Sequence, residues 1–232
     1  MAGKVVQFKN IGAVQFNRNK RSKNIKISVK PDKSVLVSFP FYCTTKEAML
    51  FVQKNEKWVL DQQKKMEQRK NKINADSTIK TKLHTVQFVL GEKYNIEPKG
   101  SNVLITVKDF ETERSQLVIE DLLIQIYRYE AQKILPARLA ELAEKYGFRF
   151  QKVTIRNNKR NWGSCSSKNN ISLNLQMMKL PDNLIDYILL HELVHTEIKD
   201  HSQNFWNRLN ELTNNNAREL SKEVKQYSTY TL

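Results

Sequence analysis

The sequence predicts an α+β fold. Three observations carry this expectation. Two stretches alternate apolar and polar residues with the period of a strand, and each is followed by a stretch with helical period. No run reaches the ~18 apolar residues that a membrane helix needs. In the first stretch Ile25, Ile27 and Val29 alternate with polar residues, and Val35, Val37 and Phe39 do the same. Pro31-Asp32-Lys33-Ser34 lies between them as a turn, so the pair reads as a β-hairpin with one buried face. Thr44-Thr45-Lys46-Glu47 is a capping-box pattern with Thr44 as N-cap. Ala48, Phe51, Val52, Trp58 and Val59 follow at helical spacing, giving one helix from Thr45 to about Lys72 with a basic tail. Residues 74–78 read as a linker.

The second β stretch runs from about Thr85 to Val107, through Val86, Phe88 and Leu90, then Tyr94 and Ile96, then Val103, Ile105 and Val107. From about Thr112 to Tyr146 the period is helical. Pro136 is expected to kink or break that stretch, and Gly147 to cap it. Val153 and Ile155 make a short strand, residues 156–170 a long polar connection, and Ile171, Leu173, Leu175 and Met177 alternate again. Leu180-Pro181-Asp182 opens a helix read as continuing to Lys199. No internal repeat is evident.

Composition narrows the class. The 232 residues are 40% hydrophobic and 27% charged, with only 6 Gly and 5 Pro, which excludes disordered and low-complexity chains. Met1-Ala2-Gly3-Lys4-Val5 lacks the apolar core of a secretory signal, and Cys43 and Cys165 cannot form a disulfide framework. The expectation is a cytoplasmic protein without membrane partners. The net charge of +15 is unevenly spread. Nearly all of the excess lies in residues 1–110, a basic β-rich region with one helix. Residues 111–232 are close to balanced and form the second predicted domain. Such a basic half points to an anionic partner, nucleotide or nucleic acid, or else to a lysine-rich solvated surface.

The chemistry lies in His191-Glu192-Leu193-Val194-His195. Two His at i and i+4 project from one face of a helix, where neutral imidazoles can share a metal ion. With 4 His in the chain, about 0.005 such matches are expected by chance. Leu184, Ile188, His191, His195 and Ile198 form one stripe, and the helix is apolar on most sides and hence buried. A pair of hydrogen-bonded core histidines is the bland alternative. A third ligand is required. His201 is the first candidate, in a turn before the N-cap Ser202, with Glu197 and Cys165 as weaker ones.

These residues, with Trp162-Gly163-Ser164-Cys165-Ser166, Ile171-Ser172-Leu173-Asn174, Leu180-Pro181 and Phe205-Trp206 in the same order, resemble the YgjP-like metal-dependent hydrolases, a zinc metallopeptidase family. The resemblance is most specific between Lys152 and Leu209. One departure is Asn161, where the family usually has Arg directly before Trp162. The resemblance implies zincin-like helices packed on a small mixed sheet. It also implies one Zn²⁺ held by His191, His195 and His201, with Glu192 as the general base acting on a zinc-activated water. Peptide or protein is the first substrate class. A nucleotide pyrophosphatase is the alternative, and a nucleic-acid-associated protein using the basic half is the second. Trp162, Gly163, Ser164, Cys165 and Asn174 are candidate substrate-binding residues, and the strand edge at Ile171 to Met177 is a candidate peptide-binding edge.

Overall fold

The computed structural model describes residues 4–30, 33–68 and 73–231. Among the described residues, six helices and three small sheets make the architecture mixed α+β. Contacts divide the chain into two compact units, residues 1–71 and 72–231. The change of charge and period near residue 110 marks the passage from the second sheet into a long helix, inside the second unit.

In the first unit, β1 (Lys4–Phe8), β2 (Gly12–Arg18), β3 (Lys26–Val29) and β4 (Val35–Phe39) form a sheet of order β1-β2-β4-β3. Its inner face is Val14, Phe16, Val35, Val37 and Phe39, all buried, and Ala48, Val52 and Val59 pack against it. The β3–β4 hairpin has the predicted strands, while part of its turn, Pro31-Asp32, lies outside the described residues. The predicted helix is divided at Asn55 into α1 (Thr45–Lys54) and α2 (Glu56–Gln68). The Asn55 side chain donates to the Phe51 carbonyl at 2.8 Å, competing with the helical ladder. The end of the basic tail, residues 69–72, lies outside the described residues. The capping box forms as read, with the Glu47 amide donating to Thr44 Oγ1 and Glu47 Oε2 accepting from the Thr44 amide.

The second unit begins with β5 (Thr78–Lys80), β6 (Thr85–Leu90), β7 (Asn95–Lys99) and β8 (Asn102–Val107), in the order β5-β6-β8-β7. Residues 74–77 form a turn before β5. This sheet repeats the first. In both, the outer pairs are antiparallel and the central pair is parallel. The registers coincide: Val14-Gln15-Phe16 faces Val35-Leu36-Val37, and Val86-Gln87-Phe88 faces Val103-Leu104-Ile105. Each fourth strand leads to a threonine N-cap, Thr44 and Thr112. Unequal turn lengths and short strands hide this repeat in the sequence.

From Thr112, α3 (Glu113–Tyr146) runs unbroken for 34 residues, through Pro136. Leu135 and Leu139, on either side of that proline, are fully buried, and their packing outweighs the lost hydrogen bond. Gly147 ends the helix at φ 77, the left-handed region where a side chain would be strained. A three-stranded sheet follows, of order β10-β11-β9, from β9 (Lys152–Arg156), β10 (Gly163–Cys165) and β11 (Asn170–Asn174). The apolar alternation beyond Asn174 is not a strand. Leu175–Lys179 is a 3-10 turn, with the Gln176 amide donating to Asn174 Oδ1 at 3.1 Å. The unit closes with α4 (Asp182–Val194), α5 (Gln203–Leu212) and α6 (Ala217–Val224). No described helix is long and apolar enough to cross a membrane.

Candidate metal centre

Helix α4 is apolar nearly all round, and Leu184, Leu189, Leu193 and Val194 are buried without exposure. It is shorter than predicted, ending at Val194 with His195 as its C-cap. The chain leaves the helix there because the Ile198 carbonyl folds back onto His195 Nδ1 at 2.9 Å. The turn then carries His201 over the end of α4, and Asp200 Oδ1 accepts from the Ser202 amide at 3.0 Å to start α5. A bond from the Ser202 hydroxyl, and after it that amide bond, hold the Asp200 carboxyl below its usual range.

The turn brings three Nε2 atoms together. His195 lies 3.2 Å from His191 and 3.3 Å from His201, and His201 lies 3.2 Å from His191. Three nitrogens each bonded to one tetrahedral Zn²⁺ at about 2.0–2.1 Å stand about 3.3 Å apart, so the spacing fits that ion. The tautomers fit as well. An Nδ1–H on His195 donating to Ile198 leaves its Nε2 lone pair facing the other two rings. Burial, then His195 and His201, push His191 down to about 3, which keeps that ring neutral and its lone pair free for a cation. Burial lowers His195 too.

All three imidazoles pack on Phe205 of α5, with ring centroids 4.6–4.8 Å away. Phe205 is fully buried, so it fixes the ring positions from beneath. In the sequence it shows as an apolar residue one turn into the helix after His201, and as part of the Phe205-Trp206 pair in the family resemblance. Arg218 lies 3.7 Å over the Trp206 ring, which flanks His201.

Glu192 is 4% exposed. Its Oε2 is buried with no hydrogen-bond partner, and burial raises its carboxyl to about 8. Gly163 makes room for it: a Cβ there would lie 2.6 Å from Glu192 Oε1. An orphaned carboxyl oxygen on the residue that follows His191 leaves an acceptor for a water, whereas a closed hydrogen-bond network does not have such an atom.

The other candidates separate. Gly163, Ser164 and Cys165 form β10, whose polar residues had concealed a strand. β10 is an edge of its sheet, and β11 is the central strand with both sides paired. The peptide-binding edge expected at Ile171 to Met177 is therefore occupied, and the open edge beside Glu192 is β10. Trp162 directly precedes β10, its carbonyl accepting from the Asn174 amide at 2.8 Å. Asn174 is wholly buried, and its Nδ2 donates to the Asn158 and Asn161 carbonyls at 2.7 and 2.9 Å. Asn174 thus holds the loop before Trp162. Asn161, in the place of the family's arginine, donates to the Gly163 carbonyl at 2.8 Å. Of the weaker ligand candidates, Glu197 faces Arg208 at 3.9 Å, and Cys165 Sγ lies 3.7 Å from Lys199 Nζ. Burial raises the Cys165 thiol, and Lys199 opposes this. Among the described residues the three histidines are the group whose donor atoms converge for a metal.

Comparison with known proteins finds no match among curated proteins. The solved structures similar over part of the chain include the metallopeptidase zymogens of Pyrococcus abyssi abylysin and Methanocaldococcus jannaschii jannalysin, each 24% identical. Each similarity covers 40% of this chain, with 93% of the first structure and 94% of the second, at TM-scores of 0.37 and 0.36. The YgjP-like metallopeptidase domain matches residues 23–227, which takes in β3 and β4 of the first sheet, the two later sheets, the histidine cluster and nearly all of the second unit. By that extent of match, the chain belongs to the YgjP-like metallopeptidase family.

Proposed function

We propose that this protein is a zinc-dependent peptidase in which His191, His195 and His201 hold one Zn²⁺ and Glu192 is the general base. The observation that carries the reading is the convergence of three Nε2 atoms within 3.3 Å of one another. The partnerless Oε2 of Glu192 supports it. Three imidazoles suit zinc among the biological divalent ions. Zinc bound there supplies a Lewis acid that acidifies water and polarises a carbonyl. The protein's own residues do the rest. Glu192 Oε2 takes a proton from water and returns it to the leaving amine. A buried carboxylate holds that proton more firmly than an exposed one, which suits a group that must carry it between two partners. Phe205 and the apolar body of α4 exclude competing water.

An extended peptide would add antiparallel or parallel to the open edge of β10, its backbone bonding to residues 163–165. Contact between Gly163 and Glu192 would set the scissile bond beside the base. Trp162 flanks that edge, and Asn174 acts at a distance by fixing the loop. A cytoplasmic location belongs to the same reading, supported by two free thiols.

The test is zinc content and turnover of casein and short peptides. Glu192→Gln is expected to keep about one zinc per chain and lose at least 100-fold in kcat. Retained turnover in the zinc-loaded variant overturns the role of Glu192. His191→Ala and His201→Ala should each lose the metal, and zinc retained in His201→Ala sends the search for the third ligand elsewhere. Gly163→Ala should keep zinc but lower kcat about 100-fold, through displacement of Glu192. Turnover of nucleoside triphosphates with none of peptides would replace the peptidase by a pyrophosphatase.

A further inference from the structure

We propose that the first unit carries a binding surface for single-stranded nucleic acid, formed by the β2–β3 loop at residues 19–25 and the segment 40–42. The first acidic residue of the chain is Asp32 and the next is Glu47. Within that acid-free beginning, Arg18, Lys20, Arg21, Lys23 and Lys26 crowd into one loop and its flanks, all exposed. Among the described residues none of the five has a carboxylate within ion-pair distance. Like charges held together cost stability until a polyanion neutralises them.

Aromatic rings stand beside the cations. Tyr42 is 79% exposed, yet its ring is fixed, because the hydroxyl donates to the Lys23 carbonyl at 2.5 Å. Phe41 is 44% exposed, with Lys20 Nζ 5.9 Å from its ring centroid. Phe41, Arg18, Lys20, Leu36 and Ser38 line a concavity of about 470 Å³. Asn17 is on the same wall. Cations for phosphates and exposed rings for bases are the two parts of a single-strand site. Stacking needs unpaired bases, and no helix of this surface is offered to a duplex groove, so a single strand is favoured over a duplex.

The second sheet shows that the scaffold does not require these features. Its corresponding loop is shorter, residues 91–94, with Glu92 beside Lys93. Asp109 and Phe110 stand where the first copy has Phe41 and Tyr42, counting back from the threonine caps, and Asp109 is occupied in bonds to Thr112 and Ser115.

Binding is independent of the metal centre, so failure here leaves the peptidase reading intact, and the reverse holds. The test uses the full chain with EDTA present and fluorescein-labelled 15-nucleotide oligo-dT, oligo-U and a 15-base-pair duplex, from 50 to 200 mM salt. Saturable binding is expected, tighter to single strands than to duplex, and comparison of oligo-dT with oligo-U distinguishes DNA from RNA. Lys20→Ala/Arg21→Ala/Lys23→Ala should weaken binding at least tenfold and reduce the log–log salt slope by about 2. Phe41→Ala/Tyr42→Ala should weaken it about tenfold with the slope unchanged, and Tyr42→Phe, which keeps the ring and loses its hydroxyl tether, should weaken it less than that. No saturable binding at 50 mM salt overturns the proposal. So does equal binding of duplex or polyglutamate with no effect of Phe41→Ala/Tyr42→Ala, which is adhesion of any polyanion. Should a variant fail to fold, photocrosslinking of bromouracil oligonucleotide to the parent protein decides: adducts in residues 18–26 or 41–42 support the surface, and adducts confined elsewhere overturn it.

Discussion

The two four-stranded sheets share strand order, strand directions and the register of their parallel pairs, yet lead to different things. The first ends in two short helices and presents a basic loop. The second ends in α3, which packs against the 3-10 turn at Leu175–Lys179 and against α4, the helix of His191 and Glu192. The difference teaches that the scaffold is neutral toward function. Around the shared sheet the copies differ in the length of one loop, residues 19–25 against 91–94, and of the helix that follows, α1 against α3. The inner faces are nearly interchangeable: Val14, Phe16, Val35 and Val37 in one, Val86, Phe88, Val103 and Ile105 in the other.

Equivalent core truncations should therefore cost the same energy but have different consequences. Phe16 and Phe88 are each 2% exposed and occupy matching registers. Phe16→Ala and Phe88→Ala should each destabilise their own unit by about 3–5 kcal/mol. In calorimetry Phe16→Ala is expected to lower a first-unit transition and leave zinc content unchanged. Phe88→Ala should lower the second-unit transition and reduce zinc content with it. A single transition shifted equally by both variants would break the comparison, since the two copies would then unfold as one.

The first turn of each sheet is held by a helix side chain, and here the copies differ in strength. In the first unit Gln63 Nε2 donates to the Ile11 and Lys33 carbonyls, each at 3.0 Å. In the second, the fully buried Glu130 accepts from the Lys82 and Leu83 amides at 3.0 and 3.1 Å, from Thr81 Oγ1, and pairs with His84 Nδ1 at 2.7 Å. Removing the carboxylate leaves several donors without an acceptor in a dry site. Glu130→Ala is expected to cost about 3 kcal/mol and Gln63→Ala about 1 kcal/mol, read from urea midpoints. Equal costs would show that burial of the turn, and not the charged acceptor, sets its stability. Both effects should be smaller than those of the core truncations.

Much of this was legible from residue patterns, and the exceptions have physical reasons. The β3–β4 hairpin, strands β6 to β8, the start and end of α3 and the capping box at Thr44 all follow from period and cap chemistry. The i, i+4 spacing singles out His191 and His195 and makes His201 the first of three candidates for the third position, and the structure brings the Nε2 atoms of these three histidines together. Strand β10 was hidden because Gly163-Ser164-Cys165 is too short and too polar to show alternation, although it forms the open edge beside Glu192. Asn174 reads as a site residue because it lies on the polar side of an alternating run near the histidine pair in sequence, and its burial under the loop is a tertiary fact that no local pattern encodes. Asn55 and Pro136 gave opposite surprises. A side chain competing for a carbonyl divides a helix that periodicity makes continuous, while packing at Leu135 and Leu139 carries another through a proline. The repeat itself escaped notice because hydrophobic alternation is common to all strands, and only the pairing registers make the two sheets the same object.

The smallest effect separates the two sheet-to-helix junctions. At the first, Glu47 inside the helix accepts from the Thr44 amide and hydroxyl, both at 2.7 Å, and the amide bond is the larger cause of its lowered carboxyl. At the second, Asp109 before the cap accepts from the Thr112 amide at 2.7 Å, the Ser115 hydroxyl at 2.7 Å and the Glu111 amide at 3.0 Å. Those bonds, the Thr112 amide first, pull its carboxyl down to about 2 from an unfolded value of 3.8. Between these two pH values the unfolded chain binds more protons than the folded one, so stability falls as pH falls. The contribution is complete above about pH 4 and gone below about pH 2. Asp109→Asn should flatten the acid side of the second-unit transition between pH 4 and 2 and leave the first-unit transition alone, while Glu47→Gln should act on the first-unit transition only. Melting temperatures from pH 2 to 5 read both. An acid side that keeps its slope in Asp109→Asn would mean that the α3 junction is held by Thr112 and Ser115 without the carboxylate, as two ordinary neutral caps would hold it.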